Sequence, residues 1–317
     1  MTVPERPAGS PWDSGYHAPV LVHEVVRLLD GARTVLDCTL GGGGHAAALL
    51  EAGEQVTGID RDPHALAAAG ARLAPYAASG RFRAHLANYA RLDLVDALVG
   101  DRFAGILLDL GISSHQIDDA TRGFTFREGA PLDMRMGGDA ASSAADLLNE
   151  GDEREIARVF REYADEPRAG RLAREVARRR ANAPFATSDD LVRAIRGALG
   201  ARTGPGDFAR IFQGVRIAVN DELAGLARAL PDLRDRLEPA GTLVVIAYHS
   251  GEDRLVKHGF REWSAGCVCP PELLRCSCRG QPLGETLTRK GIAPSAAETR
   301  HNPRARSARL RAWRSAR

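Results

Sequence analysis

The sequence lacks a long hydrophobic run, an excess of charge of one sign and a supply of lysine. No stretch reaches the ~18 uninterrupted apolar residues of a membrane span, and the first twenty residues hold no apolar segment of the kind a secretory signal requires. The 43 basic residues nearly balance the 41 acidic ones, for a net charge of +2, so any attraction to nucleic acid must come from local clusters. Lys257 and Lys290 are the two lysines, so nearly every positive charge is an arginine. We therefore expect a cytoplasmic protein without a membrane partner.

Cysteine is also scarce, and its placement does not suit a disulfide framework. Cys38 stands alone, whereas the other four are crowded at Cys267, Cys269, Cys276 and Cys278. This pattern favours a reducing compartment. The four clustered thiols could instead supply ligands to Zn²⁺, although the C-x-C spacing is less usual than C-x-x-C. Thiols on a loop with no metal are an equally good interpretation.

Strand and helix patterns alternate along the chain in two separate stretches. After a tail expected over residues 1–16, alternation runs over 17–111 and resumes over 211–317, with a helix predicted near 92–99. Strands that alternate with helices predict a mostly parallel sheet covered by helices on both faces. Residues 112–210 carry helical patterns without a strong strand signal, so we expect an inserted all-α domain that recognises the substrate.

The run DCTLGGGGH, from Asp37 to His45, joins an apolar stretch to a glycine loop, and Asp60 ends the next apolar stretch. In a parallel sheet both carboxylates would lie at the strand ends where ligands bind, next to a loop and helix N-terminus that can approach them closely. A plain tight turn is the competing interpretation. A carboxylate before the loop would repel a pyrophosphate but suits the ammonium group of S-adenosylmethionine, so methyl transfer is favoured over an NAD-dependent oxidoreductase.

The run ILLDLGISSHQIDDATRGFTFREGAPLDMRM, residues 106–136, resembles the ribosomal RNA small-subunit methyltransferase H (MraW type) family. Further matching segments are HAPVLVHEVV (17–26), GGGGH (41–45), GIDRDP (58–63), RIFQGVRIAVNDEL (210–223), HSGEDRLVK (249–257) and NPRARSARLRA (302–312). The resemblance implies a class I, Rossmann-like S-adenosylmethionine-dependent methyltransferase that methylates N4 of a cytidine in 16S rRNA. The sequence departs from the family pattern at His115, Gly214 and Gly251.

The same resemblance implies which residues hold the cofactor. The contact positions it gives are Gly43, Gly44, His45, Asp60, Tyr89, Asp109 and Gln116. The glycines and the His45 backbone would line the methionine end, Asp60 would hold the ribose, and Tyr89 would lie against the adenine. Gly41 and Gly42 are expected to shape the turn.

Two residues are candidates for chemistry at the acceptor. The lone pair of cytosine N4 is delocalised into the ring, so a carboxylate such as Asp109 that accepts its N–H bonds would help. A carboxylate that only orients the cofactor is an equal alternative. His249 could orient the base or move a proton, or merely satisfy a loop carbonyl. Glu252, Asp253 and Arg254 could form an internal salt-bridge network.

The expected partner is 16S rRNA within the small ribosomal subunit, and the target base must be unpaired or flipped out. Residues 299–317 carry seven arginines and no acid, which suits contacts to phosphates. A solvated tail is the alternative, but the NPRARS segment shared with the family favours a tail that folds over the site. The RNA-binding candidates are Arg135, Asn302, Arg304 and Arg306. The arginines at 171, 174 and 178 fit a solvated, salt-bridged helix face better. A non-catalytic RNA-binding or assembly factor is the second alternative function, and the oligomeric state, a homodimer included, stays open.

Overall fold

The structure, a computed structural model, describes residue 12 and residues 18–270, 272, 275 and 277–316. It divides into two compact units, one formed by Met1–Gly111 with Leu223–Arg317 and the other by Ile112–Glu222. The tail expected over 1–16 lies outside the described residues except for Trp12. The second unit extends past position 210, where the sequence suggests its end, because one continuous helix crosses that position.

The regular elements of the described residues follow one another in a fixed order. They are α1 (Val22–Leu28), β1 (Thr34–Asp37), α2 (Gly44–Glu51), β2 (Gln55–Asp60), α3 (Pro63–Arg72), α4 (Ala74–Ala78), β3 (Phe82–Leu86), β4 (Phe103–Asp109), α5 (Ser114–Asp118), α6 (Ala144–Glu150), α7 (Glu153–Glu162), α8 (Ala169–Arg180), α9 (Ser188–Leu199), α10 (Pro205–Val219), α11 (Glu222–Asp235), β5 (Leu237–Ala247), α12 (Ser250–Trp263), β6 (Gly284–Thr286), α13 (Ala296–His301) and β7 (Arg309–Ser315). Short 3₁₀ helices cover Tyr89–Leu94, Asp96–Leu98, Ala120–Arg122 and Pro303–Ser307. The helix predicted near 92–99 is therefore wrong in type, since two 3₁₀ turns occupy that stretch.

The first unit is built on a seven-stranded sheet of order β3-β2-β1-β4-β5-β7-β6. The first five strands in this order pair in parallel, and β7 runs antiparallel between β5 and β6. The carboxyl ends of β1, β2 and β4 consequently lie at one edge, where Asp37, Asp60 and Asp109 end their strands. The predicted α/β class with a mostly parallel sheet is confirmed.

Alternate residues of the central strands enter two different cores, because side chains of a strand point to opposite faces. Val35 and Leu107 belong to the cluster on one face, whereas Leu36, Ile106 and Leu108 belong to the cluster on the other. All five are fully buried. A strand covered on both faces appears in the sequence as a continuous apolar run, which is why ILLDL is a good strand signal.

The second unit is helical, as the sequence predicts, and has its own core. Phe160, Leu172, Ile195 and Ile211, from four different helices, are completely buried in one cluster. Asn220 fastens a loop to this bundle, since its side chain donates to the Met134 carbonyl at 2.7 Å and accepts from the Met136 amide at 2.8 Å. The unit is therefore a packed bundle with an ordered loop rather than an extended linker.

The arginine-rich C-terminal segment forms a sheet strand in place of the predicted tail, so that prediction is wrong for the residues of β7. Leu310, Ala312 and Trp313 are fully buried. Arg311 is accommodated because its guanidinium donates to both Asp253 carboxylate oxygens, at 2.7 and 3.0 Å. The salt-bridge interpretation of the 252–254 segment holds for Asp253.

None of the helices in the described part of the chain combines the length and apolar character needed to cross a membrane.

Candidate functional site

Two carboxylates at the strand-end edge of the sheet are buried and incompletely hydrogen-bonded. Asp37 and Asp109 are 1 % and 9 % exposed. Asp37 Oδ1 accepts the Thr39 amide at 3.1 Å, but Asp37 Oδ2 and Asp109 Oδ1 are buried without a hydrogen-bond partner among the described residues. Burial, with added repulsion from Asp109 and Asp60, raises the pKa of Asp37 to about 7. A buried polar atom without a partner calls for an explanation, and a ligand that binds at this edge would supply one.

Asp60, at the end of β2, is held by the glycine loop itself. Its Oδ2 accepts the Gly41 amide at 2.8 Å and its Oδ1 accepts the Asp62 amide at 2.9 Å. Burial raises the pKa of Asp60, and these two backbone bonds oppose the rise. Because each carboxylate oxygen has two lone pairs, both can still accept a bond from a ligand hydroxyl.

The glycines of the loop are required by the chain's own packing. Gly41 and Gly43 have positive φ angles of 52° and 74°. A Cβ on Gly43 would lie 3.0 Å from the Leu73 side chain, and one on Gly44 would lie 2.8 Å from the Pro19 ring. The loop therefore sits tightly on its neighbours and delivers the first-turn N–H groups of α2, which the helix itself does not use, to the strand-end edge.

His45, in the first turn of α2, is buried between the N-terminal segment and Asp109. Its Nε2 donates to the Val20 carbonyl at 2.8 Å, since a carbonyl can only accept. Its Nδ1 lies 3.7 Å from Asp109 Oδ2. The Asp109 amide is in turn fixed by the Thr39 hydroxyl at 2.6 Å. The predicted contact residues Gly43, Gly44, His45, Asp60 and Asp109 are thus gathered at one edge of one sheet.

Tyr248, which follows β5, is a site residue that the sequence analysis missed. Its hydroxyl lies near the Asp109 carboxylate, and burial together with that negative charge raises the pKa of Tyr248 well above 10. Its ring is packed so closely on Gly111 that a Cβ there would lie 2.7 Å from a ring carbon. The one available signal is its place directly after a buried apolar run and directly before His249.

His249 serves as the N-cap of α12. Its Nδ1 accepts the Glu252 amide at 3.4 Å, and its Nε2 lies 3.1 Å from Glu252 Oε1 without hydrogen-bond geometry. Glu252 is 2 % exposed and accepts the amides of Tyr248 and His249 at 2.8 and 3.2 Å. This reciprocal cap fixes the chain that carries Tyr248.

Tyr89 lies at the same edge as Asp60. The Ala87 amide donates to the Asp60 carbonyl at 2.9 Å, and Asn88 caps the 3₁₀ helix that begins at Tyr89 by accepting the Ala90 amide at 2.9 Å. Tyr89 is half-buried and packs against the sheet core. Tyr89 thus follows by two residues the alanine whose amide is bonded to Asp60, the ribose-binding candidate.

Gln116 and Arg135 belong to the helical unit. Gln116 is buried, and its side-chain carbonyl accepts the Ser113 amide at 3.0 Å in a capping box at the start of α5. Arg135 forms a two-bond pair with Asp133, at 2.8 Å for each bond.

The remaining RNA-binding candidates lie around the 3₁₀ helix before β7. Asn302 caps this helix by accepting the Arg304 amide at 3.2 Å. Ala305 is fully buried, whereas Arg304 and Arg306 on either side of it are exposed. On α8 of the other unit, Arg178 and Arg179 donate to Glu175, whose pKa they lower to about 2, and this confirms salt bridging on that helix.

Three of the four clustered cysteines, Cys267, Cys269 and Cys278, lie between α12 and β6 with their sulfur atoms within 4.8 Å of one another. Cys276 lies outside the described residues.

Comparisons with known proteins agree over almost the whole chain. The family model described as MraW methylase family matches residues 14–316. The chain is 65 % identical over 313 residues to "Ribosomal RNA small subunit methyltransferase H" of Gemmatimonas aurantiaca, with 99 % of each chain covered. Proteins of the same name from Heliobacterium modesticaldum and Symbiobacterium thermophilum are 46 % and 45 % identical, covering 94 % of this chain and 97 % and 96 % of theirs.

Proposed function

Because the chain belongs to the MraW methylase family, we propose that it is a class I methyltransferase that moves the methyl group of S-adenosylmethionine to N4 of a cytidine in 16S rRNA of the small ribosomal subunit. The observation that carries the cofactor assignment is the pair of orphaned carboxylate oxygens on Asp37 and Asp109. Since ribosomal subunits are its substrate, we place the enzyme in the cytoplasm.

The residues at the strand-end edge fit this cofactor. S-adenosylmethionine carries two positive charges, one on its ammonium group and one on the sulfonium that bears the methyl group. Two buried carboxylates, one with a pKa raised to about 7 by burial, gain most from a positive ligand. A dinucleotide would instead bring its pyrophosphate against Asp37, which Coulomb repulsion disfavours.

Each predicted contact has a separate role in holding the cofactor. Asp60, held by the Gly41 amide, would accept the ribose hydroxyls. The first-turn amides of α2 at Gly44 and His45 would face the methionine carboxylate, since helix N-termini favour anions. Tyr89 would cover the adenine, and Gln116 of the helical unit is proposed as a further contact from the family resemblance.

At the acceptor, Asp109 is the proposed catalytic residue. Its orphaned Oδ1 would accept an N4–H hydrogen bond, so that the nitrogen lone pair becomes available toward the methyl carbon. S-adenosylmethionine would supply the methyl group, its C–S bond breaking as the N–C bond forms, and Asp109 would take up the proton that N4 loses. Tyr248, by donating to Asp109, would hold the carboxylate in place, while His249 positions Tyr248 through the Glu252 cap.

The two arginines just before the C-terminal strand are proposed to bind the RNA. Arg304 and Arg306 are exposed beside a buried anchor, which suits contacts to phosphate. Asn302 organises that segment, and Arg135 would contribute from the helical unit. The proposed division of labour is a cofactor unit and a helical substrate-recognition unit.

The test is methyl transfer to small subunits from a strain that lacks the enzyme, with a labelled methyl donor. We expect label in 16S rRNA as N4-methylcytidine, and no label when Asp109→Ala replaces the wild type. Asp93→Asn, at an exposed acid of the same unit, is the matched control and should keep wild-type activity. Binding of subunits without any label would instead support the non-catalytic assembly factor and overturn the enzyme.

A further inference from the structure

The connection between α12 and β6 gathers three sulfur atoms at the surface. The sulfur atoms of Cys267, Cys269 and Cys278 all lie within 4.8 Å of one another. Cys267 is exposed, and the other two are half-buried. The proposed methyl transfer uses none of them.

The sulfur separation matches a metal site rather than a disulfide. Cys278 Sγ lies 3.8 Å from Cys267 Sγ. A Zn–S bond of about 2.3 Å in a tetrahedral site puts neighbouring sulfurs about 3.8 Å apart, whereas a disulfide requires about 2.05 Å. The Cys267–Cys278 pair therefore has the separation of two tetrahedral zinc ligands, and the third sulfur, of Cys269, lies within 4.8 Å of both.

Backbone amides point at two of these sulfur atoms from the opposite arm of the loop. The Val268 amide lies 3.4 Å from Cys278 Sγ, and the Ser277 amide lies 3.4 Å from Cys269 Sγ. The segment 267–269 thus donates a hydrogen bond to a sulfur of the segment 277–278, and the segment 277–278 donates one to a sulfur of 267–269. N–H bonds to ligand atoms orient them and stabilise the negative charge that a bound thiolate carries, as in known metal sites.

The base of the loop is closed independently of the sulfur atoms. The Leu283 amide donates to the Trp263 carbonyl at 2.8 Å. The Arg279 guanidinium donates to the carbonyls of Glu262 and Ala265, the latter at 3.3 Å. Because both ends of the connection are fixed at the end of α12, the two cysteine arms are brought together before any ion binds, which lowers the entropy cost of binding.

We infer that Cys267, Cys269 and Cys278 bind one zinc ion as thiolates and that this ion staples the connection between α12 and β6. Thiolate ligands are typical of structural zinc sites, and three of them fill three of the four tetrahedral positions of the ion. Each thiol gives its proton to solvent on binding, so the step needs no oxidant and no reductant.

The test measures metal directly in the full-length protein under reducing conditions. Protein stripped with a chelator and titrated with Zn²⁺ should take up one ion per chain by mass spectrometry of the metal. Co²⁺ in its place should give the visible absorption bands of a tetrahedral thiolate complex. Cys267→Ser, Cys269→Ser and Cys278→Ser should each weaken Zn²⁺ binding at least about tenfold.

Two control variants separate ligand loss from loop damage. Val268→Ala changes an exposed side chain between two ligands and leaves its amide, and Cys38→Ala removes the thiol in the sheet core. Both should bind Zn²⁺ as the wild type does. Failure of the reduced wild-type protein to take up Zn²⁺, or full binding by the three serine variants, would overturn the site. Far-UV circular dichroism of each serine variant checks that it is folded.

Discussion

At the scale of single residues, Asp37 is the side chain whose burial conflicts most with its charge. Burial raises its pKa to about 7 in the folded protein, compared with about 3.9 for an unfolded chain. The folded state therefore binds more protons than the unfolded state between these two values, and its stability falls as the pH rises from about 4 to 7. The site keeps a destabilising charge that a positive ligand would neutralise.

Asp37→Asn is accordingly expected to raise the free energy of unfolding of the ligand-free protein at pH 8, by on the order of 2–4 kcal/mol. At pH 4 the free energy of unfolding should change little. The same variant should weaken S-adenosylmethionine binding. Thermal unfolding at the two pH values and calorimetric titration measure these effects.

The pH dependence of cofactor binding tests whether the charge of Asp37 is responsible for the weaker binding of the variant. Wild-type affinity should increase as the pH rises through about 7, because the ionised carboxylate attracts the cation. The variant should show no such increase. An unchanged pH profile in Asp37→Asn would contradict the role of this carboxylate.

Tyr248→Phe should lower kcat by roughly tenfold, which corresponds to one hydrogen bond of about 1–1.5 kcal/mol. In the proposed mechanism the phenol donates to Asp109, so its loss would leave this carboxylate less well positioned while the adenosine contacts stay in place. The KM for S-adenosylmethionine should change little. Steady-state kinetics with subunits in excess measure the split, and Tyr76→Phe, at a tyrosine stacked on Arg81, is the control.

Some residues of the candidate site could be predicted from the sequence, and others could not. Asp37 and Asp60 could be predicted because each ends an apolar run, and parallel strands end at a common edge. Tyr248 could not, because its role depends on β5 lying beside β4, and those strands are separated by the whole helical unit. No local pattern reports such a pairing.

At the scale of elements, α10 meets the chain after α7 with almost no space. A Cβ on Gly214 would lie 2.7 Å from the Ala164 Cβ and 3.1 Å from its backbone nitrogen. Gly214→Ala should therefore destabilise the protein by about 1–3 kcal/mol, even though alanine is the better helix former. Chemical unfolding measures the change.

Ala164→Gly offers the compensating change. Combined with Gly214→Ala, it removes the closest Cβ contact but leaves the backbone contact, so it should restore part of the lost stability. Strict additivity of the two effects would mean that the contact does not limit the packing.

The C-terminal strand shows why element prediction from sequence failed there. Arginine at alternate positions indicates a polar tail, whereas in the structure Arg311 is neutralised by Asp253 of α12 and Trp313 packs edge-on against Trp263. The sequence of β7 is compatible with a buried strand because the carboxylate of Asp253 neutralises Arg311. That charge comes from a residue far away in the sequence.

At the scale of the whole molecule, positive and negative charges nearly balance, so the affinity for RNA proposed above should depend on a few arginines. Changing Arg304 and Arg306 together to alanine should raise the KM for small subunits and reduce the slope of log KM against log salt by about 1–2. S-adenosylmethionine affinity should not change. Methylation assays at several salt concentrations measure both.

The matched control is a double variant on α8, Arg171→Ala with Arg174→Ala, because these two arginines are predicted to lie on a solvated face. This pair should leave KM and the salt slope near the wild-type values. If the α8 pair changes the slope and the C-terminal pair does not, the RNA surface has been assigned to the wrong arginines.

The insertion between β4 and β5 has a consequence for synthesis of the chain. β4 pairs with β1 on one side and with β5 on the other, and the helical unit separates β4 from β5 in the sequence. At about 5–20 residues per second, roughly 6–25 s pass between the translation of Asp109 and that of Leu237. During that interval the helical unit is a continuous segment that can fold, while the nascent sheet has an open apolar edge. That edge is where a chaperone would be needed, or where aggregation would begin.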